Sequence, residues 1–165
     1  MKTLILVRHA KSDWGNPDLS DFDRPLNKRG LKDAPFMAEL VASKIKTPDL
    51  IMSSPANRAI TTAKYFATAF KYPIDKIEQI NLIYSSGVNG IKELIASLNN
   101  DYKTVILFGH NPAVSSLAYN LSGGKVPEMP TCAVACIDFD ISFWEEILNS
   151  EGDLRFYEYP KKYKS

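Results

Sequence analysis

Histidine and cysteine are scarce in this chain, which carries two of each in 165 residues. The thiols are too few for a disulfide framework. Cys132 and Cys136 lie in TCAVACIDFD, whose β-branched and small apolar residues predict a strand, and four strand steps would separate their Cα atoms by roughly 13 Å, beyond the reach of a disulfide. Buried free thiols are expected. A CxxxC metal half-site is the alternative, but no second thiol pair exists to complete it. An excess of charge of one sign is also missing: 20 Lys plus Arg stand against 19 Asp plus Glu, a formal charge of +1, which offers no basic field for nucleic acid. Long hydrophobic runs are absent too. The longest reach only about five residues, far below the ~20 needed to cross a bilayer. No signal-peptide pattern opens the chain, so a cytoplasmic location is expected, with neither membrane nor nucleic acid as a partner.

What is there suffices for one core. A chain of this length can bury roughly two thirds of its unfolded surface, and no repeat, low-complexity tract or linker divides it, so one domain over residues 1–165 is expected. Short, nearly continuous apolar runs at 3–7, 49–52 and 104–108 suit strands covered on both faces. Between them, Leu31, Ala34, Met37, Ala38, Val41 and Ile45 follow helical spacing, as do Ile60, Ala63, Tyr65, Phe66 and Phe70. Leu94, Ile95 and Leu98 mark a third helix, and Val114, Leu117, Ala118 and Leu121 a fourth. Pro55 and Pro112 fall near helix starts, and Ser122-Gly123-Gly124 stops the fourth helix. Two further strands follow, near 132–139 and 153–159. The alternation predicts a three-layer α/β/α fold with a mostly parallel central sheet.

Both histidines close apolar runs. TLILVRHAKS ends its run with Arg8 and His9, and TVILFGHNPA does the same with His110. Ligands of open α/β sheets bind outside the carboxyl ends of the strands, where Ser53, Ser54 and Arg58 also fall. The chemistry of these groups suits phosphate. Guanidiniums grip its oxygens in bidentate fashion, helix-opening amides after Ser54 and Asn111 add partial positive charge, and a neutral imidazole can attack phosphorus through one ring nitrogen while its other N–H is held. Nearby cations keep that imidazole neutral.

At these residues the sequence resembles the histidine phosphatase superfamily, also called phosphoglycerate mutase-like. It is most similar to the small SixA-like phosphohistidine phosphatases. The family's Arg-His-Gly appears as Arg8-His9-Ala10, RHAKS is followed by DFDRPLNKRG from Asp21 to Gly30, SSPANRAITTA covers 53–63, and GHNP covers 109–112. The resemblance runs in order from Met1 to about Leu121. It implies that His9 is the nucleophile of a phosphohistidine intermediate, that Arg8, Arg58 and His110 bind the phosphoryl group and stabilise its charge, and that neither metal nor other cofactor is required. A phosphorylated protein or a small phosphorylated molecule would be the partner.

One departure bears on the substrate. Many members of the family place a Glu or Asp after the third strand to protonate the leaving oxygen, whereas QINLIYSSG from Gln79 holds no carboxylate and Leu82 stands about where the acid is expected. General acid help is typically worth 10²- to 10⁴-fold, so its loss favours phosphohistidine or a similar labile N–P substrate. Asp13, Asp18, Asp21 and Asp23, in the long loop from Lys11 to Asn27, are possible substitutes or ordinary turn formers. Trp14 and Phe22 from that loop could wall the pocket, with core packing an equal option for Phe22. Arg24 reads as a loop-fixing ion pair. Besides protein phosphohistidine hydrolysis, two functions stay open: a small-molecule phosphomonoesterase using a loop Asp, and a non-catalytic module that recognises phosphate.

Overall fold

Strand β1 (Lys2–Arg8) alternates its apolar side chains between two cores. Leu4 and Leu6 enter one cluster while Ile5 and Val7 enter the other, as the two-residue period of a strand requires. Val105 and Leu107 are divided in the same way from Ile106 and Phe108 on β4 (Thr104–Gly109). A sheet apolar on both faces must be covered on both, and in the computed structural model, which describes residues 1–164, helices lie on each side. Helices α1 (Lys28–Ala42) and α2 (Asn57–Phe70) cover one face. Helices α4 (Val88–Ala96) and α5 (Ala113–Leu121) cover the other, with Trp144 from a 3₁₀ turn. Phe66 of α2 meets Phe108 of β4 edge-on, their ring centroids 4.9 Å apart, a contact worth about 1 kcal/mol beyond the buried area.

The remaining elements are β2 (Leu50–Ser53), β3 (Glu78–Gln79), α3 (Asn81–Ser85), β5 (Val134–Phe139) and β6 (Asp153–Glu158). The six strands stand in the order β3-β2-β4-β1-β5-β6. Pairings among the first four are parallel, and β5 runs antiparallel to both its neighbours. The fold is therefore the expected α/β/α, mostly parallel architecture.

Three sequence expectations need correction. Leu31 is 48% exposed, because the buried stripe of α1 passes through Gly30 instead. The first turn packs directly on the loop behind it: a Cβ on Gly30 would come 2.1 Å from the Lys11 carbonyl oxygen. Ile45 lies beyond the end of α1 and is only partly buried. Cys132 precedes β5 in a left-handed conformation, φ 63°, its N–H donating to the carbonyls of Arg8 and His9, so only Cys136 belongs to the strand. Both thiols are free and buried.

Register decides where the strands deliver their ends. Arg8 pairs with Gly109 and Ser53 with Phe108, so β1, β4 and β2 finish side by side. Backbone bonds continue the ladder past those ends, from His9 N–H to the Gly109 carbonyl at 3.1 Å and from Ser54 N–H to the Phe108 carbonyl at 3.0 Å.

Candidate active site

His9 leaves β1 into a turn that fixes its tautomer. Its Nδ1 lies 2.7 Å from the carbonyl oxygen of Ala10, an acceptor, so Nδ1 carries the proton and Nε2 keeps its lone pair. The turn itself is tied to α2. Ala10 N–H donates to Thr62 Oγ1 at 3.0 Å, and Thr62 donates in turn to the Arg58 carbonyl at 2.8 Å. Arg58 sits in the first turn of α2, and its Nε–H reaches His9 Nε2 at 3.4 Å. The register of β1 and β4 brings in His110, whose ring centroid lies 5.1 Å from that of His9.

His110 is held differently. Its Nε2 is 2.8 Å from Ser54 Oγ, and that hydroxyl also accepts the Ala56 N–H at 3.1 Å. Nδ1 of His110 and Nε of Arg8 are buried without a hydrogen-bond partner. Arg8 spends one terminal nitrogen on the Met129 carbonyl at 3.0 Å, and Asn111 Nδ2 donates to the same oxygen at 3.0 Å. The segment before β5 thus closes the back of the site.

Arg8, His9, Arg58 and His110 converge with Lys11, Ser12, Trp14, Arg24, Asn111 and Thr131 on one cleft of about 190 Å³. Burial, which disfavours the charged imidazole, lowers the pKa of His9 to about 3; the Ala10 carbonyl opposes this, while His110, Arg58 and Arg8 add to it. Burial likewise lowers His110 to about 4, with Arg58 next in effect. Both rings are neutral near pH 7, and the surrounding charge is cationic.

The loop from Lys11 to Asn27 is pinned at its base by an Asp13 N–H bond to the Pro25 carbonyl at 2.8 Å and an Asn27 N–H bond to the Lys11 carbonyl at 3.0 Å. Asp13 serves a turn, accepting the Gly15 N–H at 2.7 Å, and Asp23 accepts from Ser20 Oγ at 2.9 Å. Asp21 reaches the site. Its Oδ1 receives Arg24 through Nε at 3.2 Å and a terminal nitrogen at 3.0 Å, and its Oδ2 receives Arg58 at 3.0 Å and the Tyr84 hydroxyl at 2.8 Å. Partial burial opposes ionisation of Asp21, but the bonds from Tyr84, Arg24 and Arg58 outweigh it and hold the carboxyl well below the usual carboxylate range. Such a group is ionised and has no proton to give. Arg24 is the ion-paired loop residue expected, and it also lines the cleft, its guanidinium 3.5 Å from the Trp14 ring centroid. Phe22 packs edge-on against Tyr84, with centroids 5.3 Å apart, rather than in the core.

Tyr84, Ser12, Lys11 and Thr131 were not singled out by sequence reasoning. Tyr84 had a signal, since it lies in the stretch where the missing acid was sought. Thr131 and Met129 had none, because they arrive through a turn far along the chain.

Residues 4–90 match the model of the histidine phosphatase superfamily, branch 1, a span that contains His9, Asp21, Arg58 and Tyr84. The chain belongs to that superfamily. It is 29% identical to SixA from Agrobacterium tumefaciens, whose crystal structure it matches with a TM-score of 0.81 over 96% of this chain and 98% of that one. The structure of the protein histidine phosphatase SixA complexed with tungstate shares the fold at the same TM-score, 0.81, with 23% identity over 98% of this chain and 99% of that one. An uncharacterized chloroplastic protein of Arabidopsis thaliana is 31% identical over 159 residues, covering 92% of this chain and 72% of its own length.

Proposed function

We propose that this chain is a metal-independent phosphatase that works through a phosphohistidine intermediate on His9 and acts on phosphohistidine in proteins, in the cytoplasm. The observation that carries the reading is the state of His9: a neutral imidazole with Nδ1–H anchored on a carbonyl and the Nε2 lone pair facing Arg58 in a polar cleft. A phosphoryl group entering the cleft takes over the Arg58 Nε–H, and Nε2 attacks phosphorus. Arg8, Arg58 and His110 bind the phosphoryl oxygens, acting as preorganised donors where charge develops. The unpartnered Arg8 Nε and His110 Nδ1 support this, since buried donors rarely lack acceptors and an oxyanion supplies them. A SixA that shares this fold is known with tungstate, an oxyanion of phosphate-like shape. The reading assigns the chemistry to imidazole and guanidinium; among the described residues no group of three or more His, Cys, Asp or Glu side chains could hold a metal ion. No described helix is long and apolar enough to cross a membrane.

The ionised state of Asp21 weighs against the phosphomonoesterase alternative, whose loop Asp would have to donate a proton. The test is incubation with a histidine-phosphorylated protein in the presence of chelator. Wild type is expected to release phosphate and to carry acid-labile phosphate on His9 in quenched samples. Full turnover by His9→Ala would overturn the reading, and stable binding of the phosphoprotein without hydrolysis by wild type would favour the recognition module.

A further inference from the structure

Asp21 and Tyr84 join the cleft through its lining residues Arg58 and His110, and the phosphoryl-binding role uses neither. Tyr84 closes a ring of contacts around the site. Its hydroxyl donates to Asp21, Asp21 pairs with Arg58, Arg58 reaches His9, and the Tyr84 ring stands edge-on to His110 with centroids 5.4 Å apart. Beneath it runs a second hollow of about 250 Å³ lined by Ile83, Tyr84, Gly87, Val88, Pro112 and Ala113 among others. His110 and Asn111 line both this hollow and the polar cleft, so the two adjoin. Phosphate fits the first. The second offers a ring-sized, largely apolar space beside an aromatic face.

A tyrosine hydroxyl has one proton. Here the acceptor-only carboxylate of Asp21 takes it, at 2.8 Å, and four donors already fill the usual sites of that carboxylate. The Tyr84 oxygen therefore has only lone pairs left to offer. We propose, building on the phosphohistidine reading above, that Tyr84 is a specificity-determining residue that accepts a hydrogen bond from the protonated distal nitrogen of a phosphoimidazole leaving group.

The step balances without a proton donor from the protein. The substrate ring enters with its distal nitrogen protonated. The His9 Nε2 lone pair forms the new N–P bond, the substrate N–P bond breaks with its electron pair going to the leaving nitrogen, and a neutral imidazole departs, still carrying the distal proton held on Tyr84. Water then attacks phosphorus, the N–P bond breaks with its pair returning to Nε2 of His9, and both protons of the water leave with inorganic phosphate as dihydrogen phosphate. An alkyl phosphate differs at one point. Its leaving oxygen must gain a proton at the bond that breaks, and neither Tyr84 nor Asp21 can give one. An aryl phosphate with a stable phenolate needs no proton and presents no N–H, so it reports on the phosphoryl machinery alone.

The experiment compares kcat/KM of wild type and Tyr84→Phe on a histidine peptide phosphorylated with phosphoramidate, on p-nitrophenyl phosphate and on glycerol phosphate. Tyr84→Phe keeps the ring and its contacts while removing the acceptor. Its loss on the phosphohistidine peptide is expected to exceed its loss on p-nitrophenyl phosphate by about tenfold, the size of one good hydrogen bond. Glycerol phosphate is expected to be the poorest substrate of wild type. Equal losses on the first two substrates would overturn the assignment of Tyr84 while leaving the phosphohistidine reading intact, whereas wild-type turnover of glycerol phosphate as fast as the peptide would overturn both in favour of a phosphomonoesterase. If wild type fails to hydrolyse the peptide at all, that reading falls and the assignment falls with it.

Discussion

The ends of β1 and β4 are adjacent, parallel and tipped with the same side chain, yet they present it in opposite ways. At the β1 end, Nδ1 of His9 is committed to a backbone carbonyl and Nε2 is left for the cleft. At the β4 end, Nε2 of His110 is committed to Ser54 and Nδ1 is left without a partner. A carbonyl can only accept, so it fixes one tautomer of His9. A hydroxyl can donate or accept, so Ser54 accommodates either tautomer of His110. Identical residues at equivalent strand ends thus differ in which nitrogen is free, and under the proposed function one serves for attack and the other for holding charge.

Replacing each histidine in turn is the strongest way to break this asymmetry. His9→Ala is expected to lower kcat by on the order of 10⁴-fold or more, as loss of a nucleophile does, and to abolish acid-labile phosphate on the chain. His110→Ala is expected to lower kcat by about 10²- to 10³-fold, in the range of a lost charge-stabilising donor, with phosphate still trapped on His9. Quenched-flow labelling followed by peptide mapping checks both, and label on His110 in wild type would reverse the assignment. Ser54→Ala removes the partner that orients His110, together with an acceptor for the Ala56 N–H. A loss of about tenfold in kcat with little change in labelling of His9 is expected.

A smaller effect concerns stability against pH. Both native histidines titrate below the ordinary value of 6.5, at about 3 for His9 and about 4 for His110. As pH falls below 6.5 the unfolded chain takes up protons that the folded chain refuses, so stability declines, by about 1.4 kcal/mol per pH unit for each histidine. The decline is complete for each group once pH passes its folded value. Urea midpoints between pH 7 and 5 measure this slope, and a His9→Asn variant is expected to remove about half of it.

Much of the site was legible because it sits at strand ends. Arg8-His9 and His110 each follow a continuous apolar run, and such runs announce buried parallel strands whose carboxyl ends hold ligands. The helix stripes were legible for the same reason of periodicity, except at Leu31, where a glycine rather than the apolar residue met the loop, and at Ile45, which lies past the end of α1. Asp21 was visible only as one of four loop carboxylates, since no spacing rule says which member of a turn-rich loop will fold onto α2. Tyr84 was hidden in QINLIYSSG, a stretch searched for a carboxylate and not for a phenol. The strand expected to include Cys132 started late because that residue turns the chain behind Arg8 and His9.

By itself the sequence determined the local grammar of this protein: two-face strands, stripes on the helices, imidazoles at two strand ends and a loop too long to be only a connection. These depend on residues close in the chain, where period and propensity act. Tertiary structure alone decided how the charges and protons are shared. Register set β1 beside β4 and so His9 beside His110, loop closure chose Asp21 to bind Arg58, and that placement gave the Tyr84 hydroxyl proton its acceptor. Hydrogen bonds between groups 37 and 63 residues apart fix the state of each group, and no local pattern encodes them.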